Sequence, residues 1–307
     1  QVIGPYLMNP FVYTSNHQAR LYLDDGEVKS AATQEGWREG LRFLNRLFEE
    51  GLLDEGALVQ DKAQLVQLGE NPGAPILGSV PAGYWAQFTE HGGASGRYAE
   101  YVEMAPLEGP AGRQATYSPQ SPTGGFQIFA GAENPALLVK WCDVIYNEEH
   151  RRTAWFGEEG VGWVEADSTD TNAFGEQAAY KLLPVDGLDN YRFGWLGPFW
   201  ATADIRNSEA ANAEDLDTIF DNIGYALQVI TNRSYEPHGA PEKSLVPVTM
   251  TPEDATEANA LRTQIADYIN EMSARFVVGR SDLDRDWDAY LAEFDKLGLP
   301  RLVEINQ

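Results

Sequence analysis

Apolar residues recur at the three- and four-residue spacing of an amphipathic helix in several parts of the chain. The first such segment runs from about Gln34 to Glu50, with Thr33 placed to cap its start and Gly51 placed to end it. Its predicted buried face contains Trp37, Leu41, Leu44, Leu47 and Phe48. This segment is therefore expected to pack one face against a core.

The same pattern predicts four further helices. Asn134 followed by Pro135 opens one of them, and Thr251 and Ser281 are placed to cap two others, the last of which is expected to end at Gly298. In chain order, the predicted inner faces are Leu138, Trp141 and Ile145; Leu216, Ile219, Phe220, Ile223, Leu227 and Ile230; Leu261, Ile265, Ile269, Met272 and Phe276; and Trp287, Tyr290, Leu291 and Phe294. The carboxyl-terminal part of the chain is therefore predicted to be helical.

Three segments have the composition of strands. Residues 74–80 form a short apolar run that predicts a buried strand leading into the aromatic loop Pro81–Trp85. Residues 98–104 are predicted to be extended, residues 125–130 alternate like a strand, and Pro106–Pro110 predicts a crossover between lobes. Residues 158–206 lack periodicity, which indicates long loops. Strands that alternate with helices predict a mixed α/β fold with two lobes.

The charge balance narrows the range of partners. In 307 residues, 47 acidic side chains against 22 basic ones give a formal net charge of −25. Such a surface repels nucleic acid and anionic lipid. The single cysteine, Cys142, rules out an internal disulfide and a thiolate metal cluster built by this chain alone. The sequence contains no run of about 18 apolar residues, as a spanning helix needs, and no recognisable targeting segment.

Motifs for catalysis and for metal binding are poorly matched. The four histidines, His17, His91, His150 and His238, are scattered, which disfavours a zinc site. The run Asp167–Asn172 offers oxygen ligands, but it lacks the sixth-position glycine and the twelfth-position glutamate of a calcium loop, so a solvated loop is preferred. No metal or cofactor is predicted. A carboxylate pair for glycoside hydrolysis stays open as an alternative, because 47 acidic residues guarantee some neighbouring pairs.

Aromatic residues are concentrated in predicted loops. They are Tyr84, Trp85, Trp155, Trp163, Trp195, Phe199 and Trp200. An aromatic face packs against the C–H face of a sugar ring while polar neighbours bond its hydroxyl groups, so this pattern favours carbohydrate recognition. Core packing is the alternative. It is preferred for the helix-stripe residues Trp37, Trp141 and Trp287, and it explains Tyr84, Trp85, Trp195 and Trp200 as well as ligand contact does.

Residues 36–54 and Gly83–Trp85 together resemble the extracellular solute-binding proteins of carbohydrate ABC importers, of which the maltose-binding type is the familiar relative. The likeness continues through residues 106–110, 124–130, 133–143 and 157–163. Residues 276–279, 284–290 and 297–299 resemble the terminus of a large lipoprotein subgroup found mainly in Gram-positive bacteria. The resemblance covers nearly the whole chain.

This resemblance implies a two-lobed α/β fold of the periplasmic-binding-protein type II class, which closes about a hinge around its solute and catalyses no reaction. It implies that an amino-terminal portion lies outside this chain. Residues 1–106 would form the first part of the carboxyl-side lobe. Residues 107–236 would complete the amino-side lobe and supply a loop-rich insert, and residues 237–307 would add helices to the carboxyl-side lobe.

The resemblance and the loop aromatics together assign ligand contact to Tyr84, Trp85, Phe126, Trp195 and Trp200. The expected ligand is a sugar or oligosaccharide, and the expected protein partner is the importer permease. The protein would be monomeric, extracellular and lipid-anchored at the cell surface through a segment outside this chain. The alternatives are a peptide-binding receptor of the same fold, a polysaccharide-acting hydrolase with a catalytic carboxylate pair, and an adhesion module without a cleft.

Overall fold

The computed structural model describes residues 3–54, 56–83, 85–90, 95–117, 126–183, 203–211, 231–246 and 248–307. The α-helices are α1 (Pro5–Met8), α2 (Glu35–Glu49), α3 (Lys62–Gly69), α4 (Pro135–Ile145), α5 (Glu148–Phe156), α6 (Ala203–Asn207), α7 (Pro252–Val277), α8 (Trp287–Lys296) and α9 (Leu299–Asn306). The strands are β1 (Leu21–Asp24), β2 (Glu27–Ser30), β3 (Glu108–Gly109), β4 (Gly112–Arg113), β5 (Trp163–Glu165) and β6 (Tyr180–Leu182). Residues 231–235 are also helical.

Neighbouring strands pair in antiparallel hairpins. β1 pairs with β2, β3 with β4 and β5 with β6, and Leu21 lies opposite Ser30 in the first pair. Asp25 and Gly26 connect β1 to β2 with φ angles of 52° and 84°. Two successive residues in the left-handed region are typical of the tight turn whose twist matches a hairpin, and Asp-Gly is a preferred sequence for it.

The main core joins the two ends of the chain. Trp37, Leu41 and Leu44 of α2 are fully buried in one cluster with Ile265 and Ile269 of α7. The predicted inner faces of these two helices are therefore confirmed. α8 and α9 add Trp287, Tyr290, Phe294 and Leu302 to the same cluster. Residues more than 200 positions apart thus form one hydrophobic core, in which the β1–β2 hairpin also packs.

The end of α2 is a Schellman motif. The N–H of Gly51 donates to the carbonyl of Phe48 at 3.0 Å, and the N–H of Leu52 donates to the carbonyl of Leu47 at 2.8 Å. Gly51 has a φ of 69°, so the predicted stop is confirmed. The predicted cap is wrong. The hydroxyl of Thr33 donates to the carbonyl of Ser30 at 2.9 Å, and Gln34 precedes the helix without a capping side-chain bond.

Of the two caps predicted for the carboxyl-terminal helices, one is confirmed and the other is wrong. The predicted cap of α7 is confirmed, because Oγ1 of Thr251 accepts the N–H of Asp254 at 3.1 Å. Ser281 does not cap α8, which begins six residues later at Trp287, after the turn in which Asp282 accepts two backbone N–H groups. Gly298 ends α8 with a φ of 76°, as predicted. α9, which follows directly, was not predicted.

α4 has the predicted start but not the predicted burial. Oδ1 of Asn134 accepts the N–H of Leu137 at 3.1 Å, with Pro135 at the first helical position. Trp141, which was assigned to a buried stripe, is 49% exposed. Leu137 and Val144 are exposed as well. The helix therefore presents apolar side chains to the surface of the described structure.

The predicted strand over residues 74–80 is also wrong. This segment forms no strand, and Ile76 is exposed. Residues 101–107 and 126–130 likewise form no strand with the described residues, and Val102, Met104 and Phe129 are exposed. An apolar strand is buried only when a neighbouring strand and a covering layer are present.

A smaller cluster occupies part of the segment that was predicted as loops. Phe156 of α5 packs with Trp163, Tyr180 and Leu182 of the β5–β6 hairpin. Residues 158–206 therefore contain regular structure that their weak periodicity did not indicate. The predicted helix over residues 216–230 lies outside the described residues. None of the helices described is both long and apolar enough to cross a membrane.

Candidate functional site

Three distant segments meet at one junction, which consists of residues 9–14, 114–117 and 238–244. Nε2 of Gln114 donates to the carbonyl of Asn9 at 2.9 Å, and Nδ2 of Asn9 donates to Oγ1 of Thr116 at 3.1 Å. From the third segment, Lys243 Nζ donates to Oε1 of Gln114 at 2.9 Å, and the carbonyl of His238 accepts the N–H of Ala115 at 2.7 Å. Long-range hydrogen bonds connect these segments, and Val12, Tyr13 and Ala240 also belong to the main hydrophobic core.

The β3–β4 hairpin lies against the same junction. The N–H of Ala111 donates to the carbonyl of Pro10 at 2.9 Å. Gly109 packs so closely on Pro10 that an added Cβ would lie 2.6 Å from both its carbonyl oxygen and its Cβ, which requires glycine at this position. The segment that was predicted as a crossover, Pro106–Pro110, therefore enters the junction directly.

The predicted ligand residues fall partly outside the described structure. Tyr84, Trp195 and Trp200 lie outside it, and Trp85 is described only as the first residue of the 3₁₀ turn Trp85–Gln87. Phe126 is half-buried, and its ring centroid lies 5.8 Å from that of Trp141. The convergence of these five side chains stays a prediction.

The turn that carries Trp85 is anchored from both sides. The N–H of Gly83 donates to Oε1 of Gln87 at 3.0 Å, which closes the turn locally. The ring of Phe88, immediately after the turn, is buried and meets that of Tyr101 edge to face at 4.8 Å. A Cβ added to Gly69 at the end of α3 would overlap the carbonyl oxygen of Phe88. The backbone on which Trp85 stands is thus fixed by α3 and by residues 87–101.

Two loop tryptophans belong to the core rather than to an open surface. Trp163 is 5% exposed, its Nε1 donates to the carbonyl of Gly157 at 3.0 Å, and the guanidinium of Arg152 lies 4.7 Å from its ring centroid. Trp155 packs against the same small cluster. Trp163 is therefore not available to stack on a ligand in this arrangement, and Trp155 is half-buried.

The Asp167–Asn172 loop is organised by its own hydrogen bonds. Hydrogen bonds from the hydroxyl and the N–H of Thr169 lower the pKa of Asp167 below its usual value. Asp170 is buried and pairs with the ammonium of Lys181 at 3.3 Å. Among the residues that the structure describes, no group of three or more His, Cys, Asp or Glu side chains could hold a metal ion. Residues 167–169 are exposed, as a solvated loop predicts, whereas Asp170 and Asn172 are buried.

Among the residues that the structure describes, the carboxyl groups whose pKa is clearly shifted do not have the properties of a catalytic acid. Asp24, Asp167, Asp284 and Asp286 all have a lowered pKa, because a lysine, a threonine hydroxyl or an arginine bonds each carboxylate. A glycosidase general acid needs a raised pKa so that it can hold its proton. These four groups therefore act as ion-pair or turn-forming residues.

Comparison with known proteins defines the class of this fold. No protein-family model matches the chain. It is similar, at 23% identity over 320 residues and 98% of its length, to the fructooligosaccharide ABC transporter substrate-binding protein FusA of Streptococcus pneumoniae serotype 4. The structure of FusA in complex with kestose aligns with 98% of the chain at a TM-score of 0.61 and 21% identity.

Two solved structures from Bifidobacterium longum subsp. infantis give the same result. An extracellular solute-binding protein aligns at a TM-score of 0.68 and 18% identity, and an HMO-binding, ABC-transporter-associated solute-binding protein aligns at 0.65 and 17%. Each alignment covers 98% of this chain. The fold is therefore that of ABC-transporter solute-binding proteins, which confirms the predicted α/β class and the predicted resemblance.

The chain is shorter than these proteins. It spans 54% of FusA and 59% and 60% of the two Bifidobacterium chains. The ligands named for these relatives are therefore bound by polypeptides longer than the 307 residues of this chain.

Proposed function

We propose that this chain is part of an extracellular solute-binding receptor that captures a carbohydrate, in particular an oligosaccharide, and delivers it to an ABC importer without catalysing a reaction. The support is a shared fold over 98% of the chain with proteins whose names specify fructooligosaccharide or HMO binding. The proposed partner is the importer permease. The proposed location is the outer face of the cell membrane, with a lipid anchor on the same polypeptide and a monomeric state.

The observation that carries this proposal is the junction of residues 9–14, 114–117 and 238–244. The lobe boundaries predicted from the sequence fall at residues 106/107 and 236/237, close to two of its three segments. We assign the junction as the hinge between residues 1–106 with 237–307 on one side and residues 107–236 on the other. Side-chain bonds such as that of Lys243 to Gln114, at 2.9 Å, can persist through small rotations, as hinged closure requires.

The exposed apolar residues of the middle region support the same division. Phe129, Leu137, Trp141 and Val144 are all exposed, and Phe129 is 88% exposed. Leu137, Trp141 and Val144 follow one another at the i, i+4, i+7 spacing of one helix face, and an exposed apolar face marks a place where another part of a protein packs. We propose that residues 107–236 complete a lobe whose remaining elements lie outside residues 1–307, and that α4 packs against those elements.

Ligand contact in this proposal comes from the loop aromatics. Tyr84, Trp85, Phe126, Trp195 and Trp200 would stack on sugar rings, whose C–H faces are apolar, while neighbouring polar groups bond the hydroxyls. The anchored backbone of the turn Trp85–Gln87 would reduce the conformational entropy lost on binding. Differential contacts in the closed form would then shift the population toward closure.

The experiment is a calorimetric titration of the full-length receptor with fructooligosaccharides and with peptides, combined with small-angle scattering to detect closure. We expect saturable oligosaccharide binding, a smaller radius of gyration with ligand, and at least tenfold weaker binding in Trp85→Ala. Val59→Ala is the control, because Val59 is an 85% exposed apolar residue outside the predicted set. Peptide binding would contradict the carbohydrate assignment. Release of shorter sugars would contradict the absence of catalysis.

A further inference from the structure

A polar cavity of about 240 Å³ lies between the loop before β1 and the middle of α7. Its lining consists of Asn16, Gln18, Arg20, Thr263, Ala266, Asp267 and Asn270. Six of these seven side chains can form hydrogen bonds. Among the residues that the structure describes, the lining contains no aromatic side chain. The cavity is therefore separate in its chemistry from the aromatic site proposed above.

Arg20 has an unusual backbone conformation and few hydrogen-bond partners. Its φ of 56° lies in the left-handed region, which is uncommon for a residue with a side chain. Nη2 donates to the carbonyl of Ile3 at 3.2 Å, whereas Nε is buried and has no hydrogen-bond partner. Within the described residues, none of the ion pairs includes Arg20, although acidic side chains exceed basic ones by more than two to one in this chain. A buried donor without a partner is costly unless a ligand or water satisfies it.

A second arginine increases the positive charge around the cavity. Arg262 lies one helical turn before Ala266, and its Nε is also buried without a partner. Its only side-chain bond among the described residues goes from Nη1 to Oδ1 of Asn259 at 3.3 Å. Burial first, and then the charges of Arg262 and Arg20, lower the pKa of His17 to about 4. These groups form a patch of positive charge that no described carboxylate neutralises by direct pairing.

The remaining lining side chains suit hydroxyl groups. Asn16, Gln18, Asp267 and Asn270 form no side-chain hydrogen bond with the described residues, so their amide and carboxylate atoms are free to bond a ligand. The carboxylate of Asp267 would accept from a hydroxyl but would repel a simple inorganic anion. The volume is below the roughly 300–1,000 Å³ of sites for drug-sized ligands, which indicates a small molecule.

We propose that this cavity binds a small hydroxylated carboxylate, with the carboxylate on the guanidinium of Arg20 and the hydroxyl groups on Asn16, Gln18, Asp267 and Asn270. A guanidinium presents its N–H groups in the planar fork that matches a carboxylate. The site does not depend on the proposed oligosaccharide site, because it shares no residue with it.

The test uses gluconate and sorbitol, which have the same six-carbon polyol chain and differ in the carboxylate. Binding to the full-length protein is measured by calorimetry and by the NMR titration of His17. We expect gluconate to bind at least tenfold more tightly than sorbitol and to raise the pKa of His17, because a bound anion offsets the two arginine charges. Trp85→Ala should leave gluconate binding unchanged, which separates this test from that of the oligosaccharide site.

Two variants examine the assigned contacts. Arg20→Gln should weaken gluconate binding at least tenfold, whereas Arg280→Gln, which removes an exposed arginine elsewhere, should not. Arg20→Gln also removes the bond to Ile3, so a second variant is needed. Asn270→Leu places a larger apolar side chain at an exposed helix position that lines the cavity, and it leaves Arg20 unchanged. Equal binding of gluconate and sorbitol, equal binding of sulfate and gluconate, or full binding in both variants would overturn the proposal.

Discussion

Nζ of Lys243 donates a hydrogen bond to Oε1 of Gln114 at 2.9 Å, although the two residues are 129 positions apart. The same amide donates from Nε2 to the carbonyl of Asn9 at 2.9 Å. One glutamine side chain therefore bonds the first and the third segment of the junction at once. Because a glutamine amide has separate donor and acceptor ends, no single apolar or charged residue can replace both contacts.

We predict that Gln114→Ala lowers the free energy of unfolding by about 1 to 3 kcal/mol, since two partly buried hydrogen bonds are lost and the partner groups are left unsatisfied. Denaturant unfolding measures the change. Gln127→Ala is the control, because Gln127 is exposed and should alter stability by less than about 0.5 kcal/mol. If the two variants had the same stability, the junction would not be held by this amide.

Gly51→Ala is expected to destabilise the protein by about 1 to 2 kcal/mol through its backbone alone. An added Cβ would meet no atom within 4 Å, so no clash contributes, but the φ of 69° disfavours any residue with a Cβ. The measurement is again denaturant unfolding. Gly131→Ala is the matched control, since Gly131 is equally open and is not in the positive-φ region. A neutral Gly51→Ala would mean that the end of α2 can change conformation without cost.

Local signals in the sequence predicted much of the helical structure. The cap at Thr251, the proline at position 135 and the stops at Gly51 and Gly298 are confirmed, because each depends on backbone groups within a few residues. The predicted caps at Thr33 and Ser281 are wrong for a related reason. Each lies next to a competing turn, and that turn, rather than the helix start, uses the local polar groups.

Strands and exposed surfaces could not be predicted in the same way. Residues 74–80 have the composition of a buried strand, but a strand is buried only if another segment pairs with it and a layer covers it. The sequence of the segment specifies neither. Trp141 illustrates the same limit, because its position on a helix stripe predicts an apolar face but not what that face contacts.

The candidate site was predicted only as a set of residue types. Trp163 was among the aromatic residues of predicted loops, yet it is buried under Arg152. The β5–β6 hairpin accounts for this burial, and its weak periodicity gave no strand signal. The junction at Gln114 had no signal beyond the prolines of residues 106–110, since hydrogen bonds across more than 100 positions leave no local pattern.

We predict that Gly69→Ala is among the more costly single substitutions near the Trp85 turn. The new Cβ would overlap the carbonyl oxygen of Phe88, so α3 or residues 83–90 must move, at a cost of about 1 to 3 kcal/mol. Hydrogen exchange should detect faster exchange in residues 85–90, and unfolding should detect lower stability. Gly78→Ala is the control, because no atom lies within 4 Å of its added Cβ. Unchanged exchange in Gly69→Ala would mean that this close packing does not fix the turn.

The stability of the protein should fall below pH 6.5 because of His17. Burial, followed by the charges of Arg262 and Arg20, lowers the pKa of this imidazole from 6.5 to about 4, so the folded state favours the neutral form. The unfolded chain takes up the proton first. The stabilisation is therefore fully present above pH 6.5 and is lost as the pH falls from 6.5 through 4, by on the order of 2 to 3 kcal/mol.

His17→Asn isolates this contribution from that of the carboxylates, which also lose favourable pairing in acid. Nδ1 of His17 accepts the N–H of Ala19 at 3.2 Å, and an asparagine oxygen can accept the same bond two residues on without taking up a proton. We expect the difference in unfolding free energy between the wild type and His17→Asn to shift in favour of the variant between pH 6.5 and 4. A difference that stays constant across this range would mean that His17 takes up its proton at the same pH in the folded and unfolded chains, so that neither burial nor the two arginine charges shift its pKa.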